Sequence, residues 1–327
     1  MTIAVTGASG FVGTALCQHL ADNGYRVRAL VRDSSWLPPS RDIERHLVRS
    51  IADDDTWEPQ LRGCDTVVHL AARVHMMNDM AVDPLAEFLR INAEGTRNLA
   101  EQAARCGVRR VVLLSSIKVN GEATLPERPF TPDDLVEPRD AYAISKKEAE
   151  LALRGVAERT GLEFVIIRPP LVYGPGVGAN FAAMMRCLVR RLPLPLGSVN
   201  NNRRSLVALG NLVDLIATCV HHPNAAGRIL LVSDGEDMST AELLVRMGNA
   251  LGSPARLFPL PVMLLEVGAR VIGRSALADR LCNSLQIDMT QTVGELGWHP
   301  PITAEEGLHV TASHFLQSRD VTSSSLT

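Results

Sequence analysis

The sequence lacks the features that mark several classes of protein. Its net charge of −3 gives no basic footprint for nucleic acid. No apolar run approaches the roughly 18 residues of a membrane-spanning helix, and Met1 leads straight into a strand pattern rather than a signal peptide. The six cysteines form no close pair of the metal-binding or redox type. We therefore expect a cytoplasmic protein with reduced thiols, no metal site, no nucleic-acid partner and no membrane insertion.

The chain contains enough apolar residues for a large core. Hydrophobic residues make up 46% of its 327 positions, and strand-like and helix-like segments alternate through the first half, which predicts an α/β fold with a parallel sheet. The most hydrophobic late segment, residues 257–272, is interrupted by Glu266 and Arg270. It predicts a buried or amphipathic helix rather than a membrane anchor.

The first segment has the pattern of strand, glycine turn and helix. Residues 2–6 predict a strand; Gly7, Gly10 and Gly13 follow it, and a helical pattern continues to residue 24. Such a turn brings backbone N–H groups and a helix N-terminus close to a pyrophosphate, because glycine has no Cβ. The turn, including Phe11 and Val12, is thus a candidate dinucleotide site.

The end of the second predicted strand, residues 26–31, bears on cofactor choice. A carboxylate at this place would accept a hydrogen bond from the ribose 2′-hydroxyl, but here Val31 and Arg32 occur. Arg32 can pair with a 2′-phosphate, which favours NADP(H), with NAD(H) as the alternative cofactor. The other interpretation is a solvated arginine beside Asp33.

Tyr142 and Lys146 lie four residues apart in a segment with helical composition. That spacing places the phenol and the ammonium on one helical face, where a close cation could lower the phenol pKa towards neutrality. Coincidence on an exposed helix is the alternative. Ser116 follows a predicted strand at 109–114, at the strand end where α/β proteins bind ligands.

Other segments complete the predicted alternation. We expect strands at 66–72, 163–168 and 227–233, and helices at 84–104, from 180 and at 206–219. The acidic residues 53–55 predict a solvated turn, and the loop containing His75 and Met80 could lie beneath the substrate.

These motifs together resemble the extended short-chain dehydrogenase/reductase family of nucleotide-sugar epimerases, dehydratases and reductases. The resemblance implies that Tyr142 is the general acid/base, that Ser116 binds the reacting oxygen, and that Lys146 lowers the Tyr142 pKa and holds the nicotinamide ribose. It also implies a UDP-sugar substrate held by Arg204 and Asn180, and a helix-paired homodimer. The cofactor residues that it implies are Gly7, Gly10, Phe11, Val12, Gly13, Arg32, Ser50, Ile51, Leu70, Ala71, Ala72, Asn92, Tyr142, Lys146 and Pro169.

The sequence departs from the family pattern at three places. Val31-Arg32 replaces the ribose carboxylate, Ser50 replaces an aspartate near the adenine, and Asn120 replaces a common aromatic. The first two weaken the expectation of NAD preference. The third could reshape the sugar pocket.

The resemblance implies a doubly wound parallel Rossmann sheet with a smaller, mostly C-terminal α/β substrate domain. We expect the dinucleotide domain at 1–170 and 206–234, the substrate domain at 171–205 and 235–318, and a flexible tail at 319–327.

The expected activity is reduction at C4 of a UDP-4-keto-6-deoxy-N-acetylhexosamine, for a surface polysaccharide (O-antigen) precursor. The alternatives are a UDP-glucose or UDP-GlcNAc 4-epimerase, and a dinucleotide-binding sensor without catalysis. The polar run around Arg204 disfavours a reductase of apolar carbonyls.

Overall fold

Two sheets organise the chain. The computed structural model describes residues 1–51, 57–74, 83–125 and 127–324. The strands are β1 (Thr2–Thr6), β2 (Arg26–Val31), β3 (Ile43–Leu47), β4 (Thr66–His69), β5 (Arg110–Leu114), β6 (Glu163–Arg168), β7 (Leu171–Tyr173), β8 (Arg204–Ala208), β9 (Arg228–Leu231) and β10 (Asp237–Met238). Within the described residues, seven parallel strands pair in the order β3-β2-β1-β4-β5-β6-β9. The order reverses direction at β1, so the sheet is doubly wound.

Helices cover both faces of this sheet. The α-helices are α1 (Phe11–Asp22), α2 (Glu58–Leu61), α3 (Pro84–Phe88), α4 (Gly95–Arg105), α5 (Ala141–Thr160), α6 (Ala179–Val189), α7 (Leu209–His221), α8 (Thr240–Ala250), α9 (Val262–Val271), α10 (Ser275–Cys282), α11 (Thr290–Leu296) and α12 (Ala304–Ser324). A π-helical turn, Leu89–Glu94, joins α3 to α4. On one face α1 and α7 bury Leu16 and Leu212, and on the other α4 and α5 bury Leu99 and Leu153. Burial on both faces explains why the central strands are almost continuously apolar.

The smaller sheet has the order β10-β8-β7. Its core brings together Phe181 of α6, Leu244 of α8 and Leu308 of α12 with Tyr173 of β7. The small sheet and the helices packed on it contain most of the segments expected to form a substrate domain. The boundaries between the dinucleotide domain and the substrate domain remain a prediction.

The structure confirms the Rossmann-like fold but corrects several local predictions. Residues 206–208 belong to β8 rather than to a helix, since a short apolar run has no periodicity that separates strand from buried helix. Neither β3 nor β7 was predicted. The helix expected within 257–272 begins only at Val262, and its described residues are all at least partly exposed, as with Met263 and Val271.

Two further expectations concern the chain's end and its loops. Helix α12 continues to Ser324, past the point where we expected an irregular tail. The acidic run 53–55 and the loop from His75 to Met80 lie outside the described residues. In the described part of the chain, no helix has both the length and the apolarity needed to cross a membrane.

Candidate active site

The predicted site residues gather at one edge of the large sheet. Gly7 follows β1, Arg32 follows β2, Leu70 follows β4, Ser116 follows β5 and Pro169 follows β6. These strands are parallel and in register, so their carboxyl ends meet at the same edge. This is where open α/β sheets bind ligands.

The glycine turn is too close-packed for side chains. Gly7 has a φ of +67°, and a Cβ there would lie 2.8 Å from the Ala71 backbone nitrogen. A Cβ on Gly13 would lie 2.1 Å from the Gly7 carbonyl oxygen. Helix α1 begins directly after Gly10, which offers no side-chain cap to its first N–H groups. The turn therefore leaves backbone donors for a pyrophosphate, and it fits a dinucleotide.

The end of β4 lies against this turn and the start of α4. The Ala71 backbone N–H donates to Thr6 Oγ1 at 3.2 Å. Asn92 exchanges hydrogen bonds with the backbone N–H and C=O of Arg73 and donates to Ser145 Oγ at 2.9 Å, and its place at the cofactor remains a prediction. These contacts make Asn92 a link between the end of β4 and α5.

Arg32 lies exposed at the end of β2. The neighbouring Asp33 accepts hydrogen bonds from the Ser35 N–H and hydroxyl, which hold the pKa of its carboxyl below the ordinary value. No described residue pairs with the Arg32 guanidinium. Ser50 and the buried Ile51 follow β3 beside it.

Tyr142 lies in the first turn of α5. Asp140 caps that helix by accepting from the Ala143 N–H at 2.7 Å, and Phe88 meets the Tyr142 ring edge-on at 6.2 Å between centroids. The nearby Ser116 hydroxyl favours the phenolate and so acts to lower the phenol pKa. Burial and the Asp140 charge outweigh it and raise the pKa of Tyr142 to about 12.

Lys146 lies one turn further along α5 and is only 3% exposed. Burial dominates at the phenol in this structure, and the expected effect of the Lys146 charge on the Tyr142 pKa remains a prediction. Burial also lowers the pKa of Lys146, to about 8, against the attraction of Glu150. No described group accepts a hydrogen bond from its ammonium, which suits a lysine that binds ribose hydroxyls.

Arg204 is the first residue of β8. Because β8 runs parallel to β7 and Leu206 pairs with Leu171, Arg204 lies near the start of β7, where β6 ends. Its Nη1 donates to the Asn283 carbonyl at 3.0 Å. Burial, and after it the like charge of Arg280, lowers the Arg204 pKa. Two guanidinium charges that act on each other in this way would suit an anion such as a diphosphate. Asn180 is exposed on the first turn of α6.

The sequence analysis missed Arg280 and Lys118. Arg280 lies 76 positions from Arg204 in a segment without a recognisable motif, so only the tertiary fold brings them together. Lys118 follows Ser116 closely and pairs with Asp140, the cap of the Tyr142 helix. Asn120, expected to shape the sugar pocket, is buried and bonds to Arg168 and the Thr131 carbonyl instead.

Comparisons with known proteins match this geometry. The model of the NAD dependent epimerase/dehydratase family matches residues 3–233. A Vibrio cholerae protein named UDP-glucose 4-epimerase is 44% identical, over 98% of this chain and 97% of its own length. The structure of UDP-glucose 4-epimerase with UDP-glucose from Thermotoga maritima has a TM-score of 0.78 at 22% identity, covering 98% and 100% of the two chains. UDP-glucuronic acid 4-epimerase from Bacillus cereus with NAD has a TM-score of 0.76 at 18% identity, covering 97% and 99%.

Proposed function

The chain belongs to the NAD dependent epimerase/dehydratase family, and on that premise we propose that it is an NAD(P)-dependent oxidoreductase acting at C4 of a UDP-sugar. The observation that carries this proposal is that Ser116 acts on Tyr142 at the sheet edge that also carries the glycine turn, with Lys146 one turn along α5 from Tyr142. An acid/base, an oxyanion donor and a ribose-binding cation are the groups that hydride transfer at a carbinol or ketone requires.

The residues of the chain have distinct tasks in this reaction. The dinucleotide, when bound, supplies or accepts the hydride. Tyr142 gives a proton to the C4 oxygen or takes one from it, while Ser116 donates a hydrogen bond to the same oxygen. Lys146 binds the ribose hydroxyls, and Arg204 with Arg280 neutralises the substrate diphosphate.

The first candidate reaction is C4 epimerisation of UDP-glucose or UDP-GlcNAc. It is supported by the 44% identity with the Vibrio cholerae UDP-glucose 4-epimerase, which extends over nearly all of both chains. An epimerase oxidises C4 and then reduces it from the other face. It therefore gains from retaining its cofactor through the whole cycle.

The second candidate is the reduction of a UDP-4-keto-6-deoxy-N-acetylhexosamine for an O-antigen precursor, with NADPH as the reductant. The exposed Arg32 at the ribose end supports it, because a reductase exchanges its cofactor in each cycle and a 2′-phosphate would pair with this cation.

One preparation tests both candidates. The purified protein is assayed for bound dinucleotide, and then offered UDP-glucose or UDP-GlcNAc without added cofactor. Copurified NAD with inversion at C4 supports the epimerase, whereas NADPH oxidation that depends on the 4-keto sugar supports the reductase. Cofactor binding without turnover of any of these sugars would favour the sensor, and light scattering of the same sample tests the expected homodimer.

The diphosphate site has a matched control. Arg204→Ala should weaken UDP binding by about tenfold or more, the scale for a lost charge-assisted hydrogen bond. Arg203→Ala removes the neighbouring guanidinium, which bonds to the Asn200 and Asn202 carbonyls. Equal loss in both variants would contradict the assignment.

A further inference from the structure

Glu150 continues the face of α5 that carries the active-site pair. Tyr142, Lys146 and Glu150 follow one another at spacing four in this helix. Glu150 is only 3% exposed, as is Lys146. A carboxylate so deeply buried needs compensation by hydrogen bonds and an opposite charge.

The Glu150 carboxylate is fully engaged by two neighbouring strands. Oε1 accepts from the Ser115 hydroxyl and from Arg168 Nε at 3.0 Å, and Oε2 accepts from Arg168 Nη2 at 2.6 Å. Arg168 also donates to Asn120 Oδ1 at 3.0 Å. Ser115 is the residue before Ser116 at the end of β5, and Arg168 ends β6. One carboxylate thus joins α5 to both strand ends.

Glu150 also supplies the charge that balances Lys146. The titratable groups that interact with that ammonium are His69 of β4 and Glu150 itself. Burial, followed by the Lys146 charge, lowers the pKa of His69 to about 3, so this imidazole is neutral at neutral pH. Among the described groups, the Glu150 charge alone opposes the burial that lowers the Lys146 pKa to about 8.

We propose that Glu150 is a positioning residue of the active site, which keeps Lys146 charged and fixes its helix against the ends of β5 and β6. The proposal rests on the role of Lys146 in cofactor binding proposed above. It does not depend on which sugar is the substrate.

The lysine content of the chain allows a direct test. Its only lysines are Lys118, Lys146 and Lys147, so ¹³C-lysine labelling gives three side-chain signals that Lys118→Arg and Lys147→Arg assign. The Lys146 signal of the parent should titrate near pH 8. In Glu150→Gln it should titrate at least about one pH unit lower, because the stabilising charge is gone. Ser115→Ala keeps the carboxylate and should leave this titration unchanged.

Cofactor binding provides the second readout. At pH 8, Glu150→Gln should bind NAD(P)H about fivefold more weakly than the parent, since a lysine pKa about one unit lower reduces the charged fraction from about one half to about one tenth. The deficit should shrink at pH 6, where Lys146 is protonated in both proteins. If Glu150→Gln weakened cofactor binding only by disturbing the structure, lowering the pH from 8 to 6 would not restore that binding.

Glu150→Gln leaves Arg168 buried without its carboxylate, which can prevent folding. The variant carrying both Glu150→Gln and Arg168→Gln removes both charges and should lower the Lys146 titration by less than Glu150→Gln alone, because the loss of the Arg168 cation acts in the opposite direction. Glu150→Asp should restore it at least in part. A Lys146 titration equal to the parent's in a folded variant without the carboxylate would overturn the proposal, and a parent that binds no dinucleotide would instead contradict the proposed function.

Discussion

The buried charge of Lys146 should lower the free energy of unfolding of the protein. Its pKa is about 8 in the folded chain against an ordinary value of 10.5, because burial penalises the ammonium. A difference of about 2.5 pH units corresponds to about 3 kcal/mol of unfolding free energy. Lys146→Met keeps an unbranched side chain of similar length without the charge. We therefore expect this variant to be more stable than the parent by about 2–3 kcal/mol at pH 7, while losing cofactor binding.

The stability cost of the buried Lys146 charge should depend on pH. Below pH 8 both the folded and the unfolded states hold the proton, so the full cost is present. As the pH rises from about 8 to 10.5, the folded state loses the proton first and the cost disappears. The stability difference between Lys146→Met and the parent should therefore narrow through this window. Urea unfolding followed by fluorescence at pH 7 and at pH 10 measures it.

A matched control separates the buried charge from the loss of any lysine. Lys147 is the next residue and is partly exposed. Lys147→Met should change stability by no more than about 0.5 kcal/mol at either pH. A Lys146→Met protein that is less stable than the parent at pH 7, or whose advantage persists unchanged at pH 10, would refute the reasoning.

Three other substitutions test the site, and a fourth, Gly155→Ala, serves as a control. Tyr142→Phe keeps the ring against Phe88 and should retain cofactor binding while losing at least about 100-fold in turnover, measured by steady-state kinetics; turnover like the parent's would exclude Tyr142 as the acid/base. Arg32→Ala should narrow a preference for NADP(H) over NAD(H) by about 1.5–3 kcal/mol in fluorescence titrations, and equal affinities in the parent would contradict that preference. Gly13→Ala places a Cβ 2.1 Å from the Gly7 carbonyl oxygen and should destabilise the fold by at least about 2 kcal/mol in urea. Gly155→Ala, whose Cβ meets only Arg159 Nη1 at 3.6 Å in α5, should instead stabilise it by up to about 1 kcal/mol.

Local patterns account for the parts of the site that the sequence could predict. The strand, glycine turn and helix of residues 2–22 depend on short-range periodicity and on backbone space at Gly7 and Gly13. The common face of Tyr142 and Lys146 follows from helix geometry at spacing four. The gathering of Ser116 and Arg32 at one edge follows from a parallel sheet, once the order of strands and helices is recognised.

The remaining features depend on contacts between distant segments. Arg280 acts on Arg204 only because the segment after α10 pairs with the start of β8, and no local sequence pattern predicts that pairing. Residues 206–208 are apolar and too few to show a period, so the boundary between β8 and α7 was misplaced. The sequence shows that Lys146 can lie near Tyr142, but the Tyr142 pKa is set by how much of the surrounding water is excluded. Burial is a property of the packed molecule, and in this structure it raises the Tyr142 pKa.

The same burial acts on both members of the active-site pair and bears on the direction of the reaction. It raises the pKa of Tyr142 to about 12 and lowers that of Lys146 to about 8, so it favours the neutral form of each. At neutral pH the phenol is protonated and can donate to a keto sugar without prior ionisation. Abstraction of a carbinol proton needs the phenolate, and lowering a pKa from about 12 to about 7 takes about 7 kcal/mol of preferential stabilisation. An oxidising half-reaction therefore depends on cationic charge beside the phenol more than a reducing one does, and in this chain the carboxylate of Glu150 preserves the charge of the nearby Lys146.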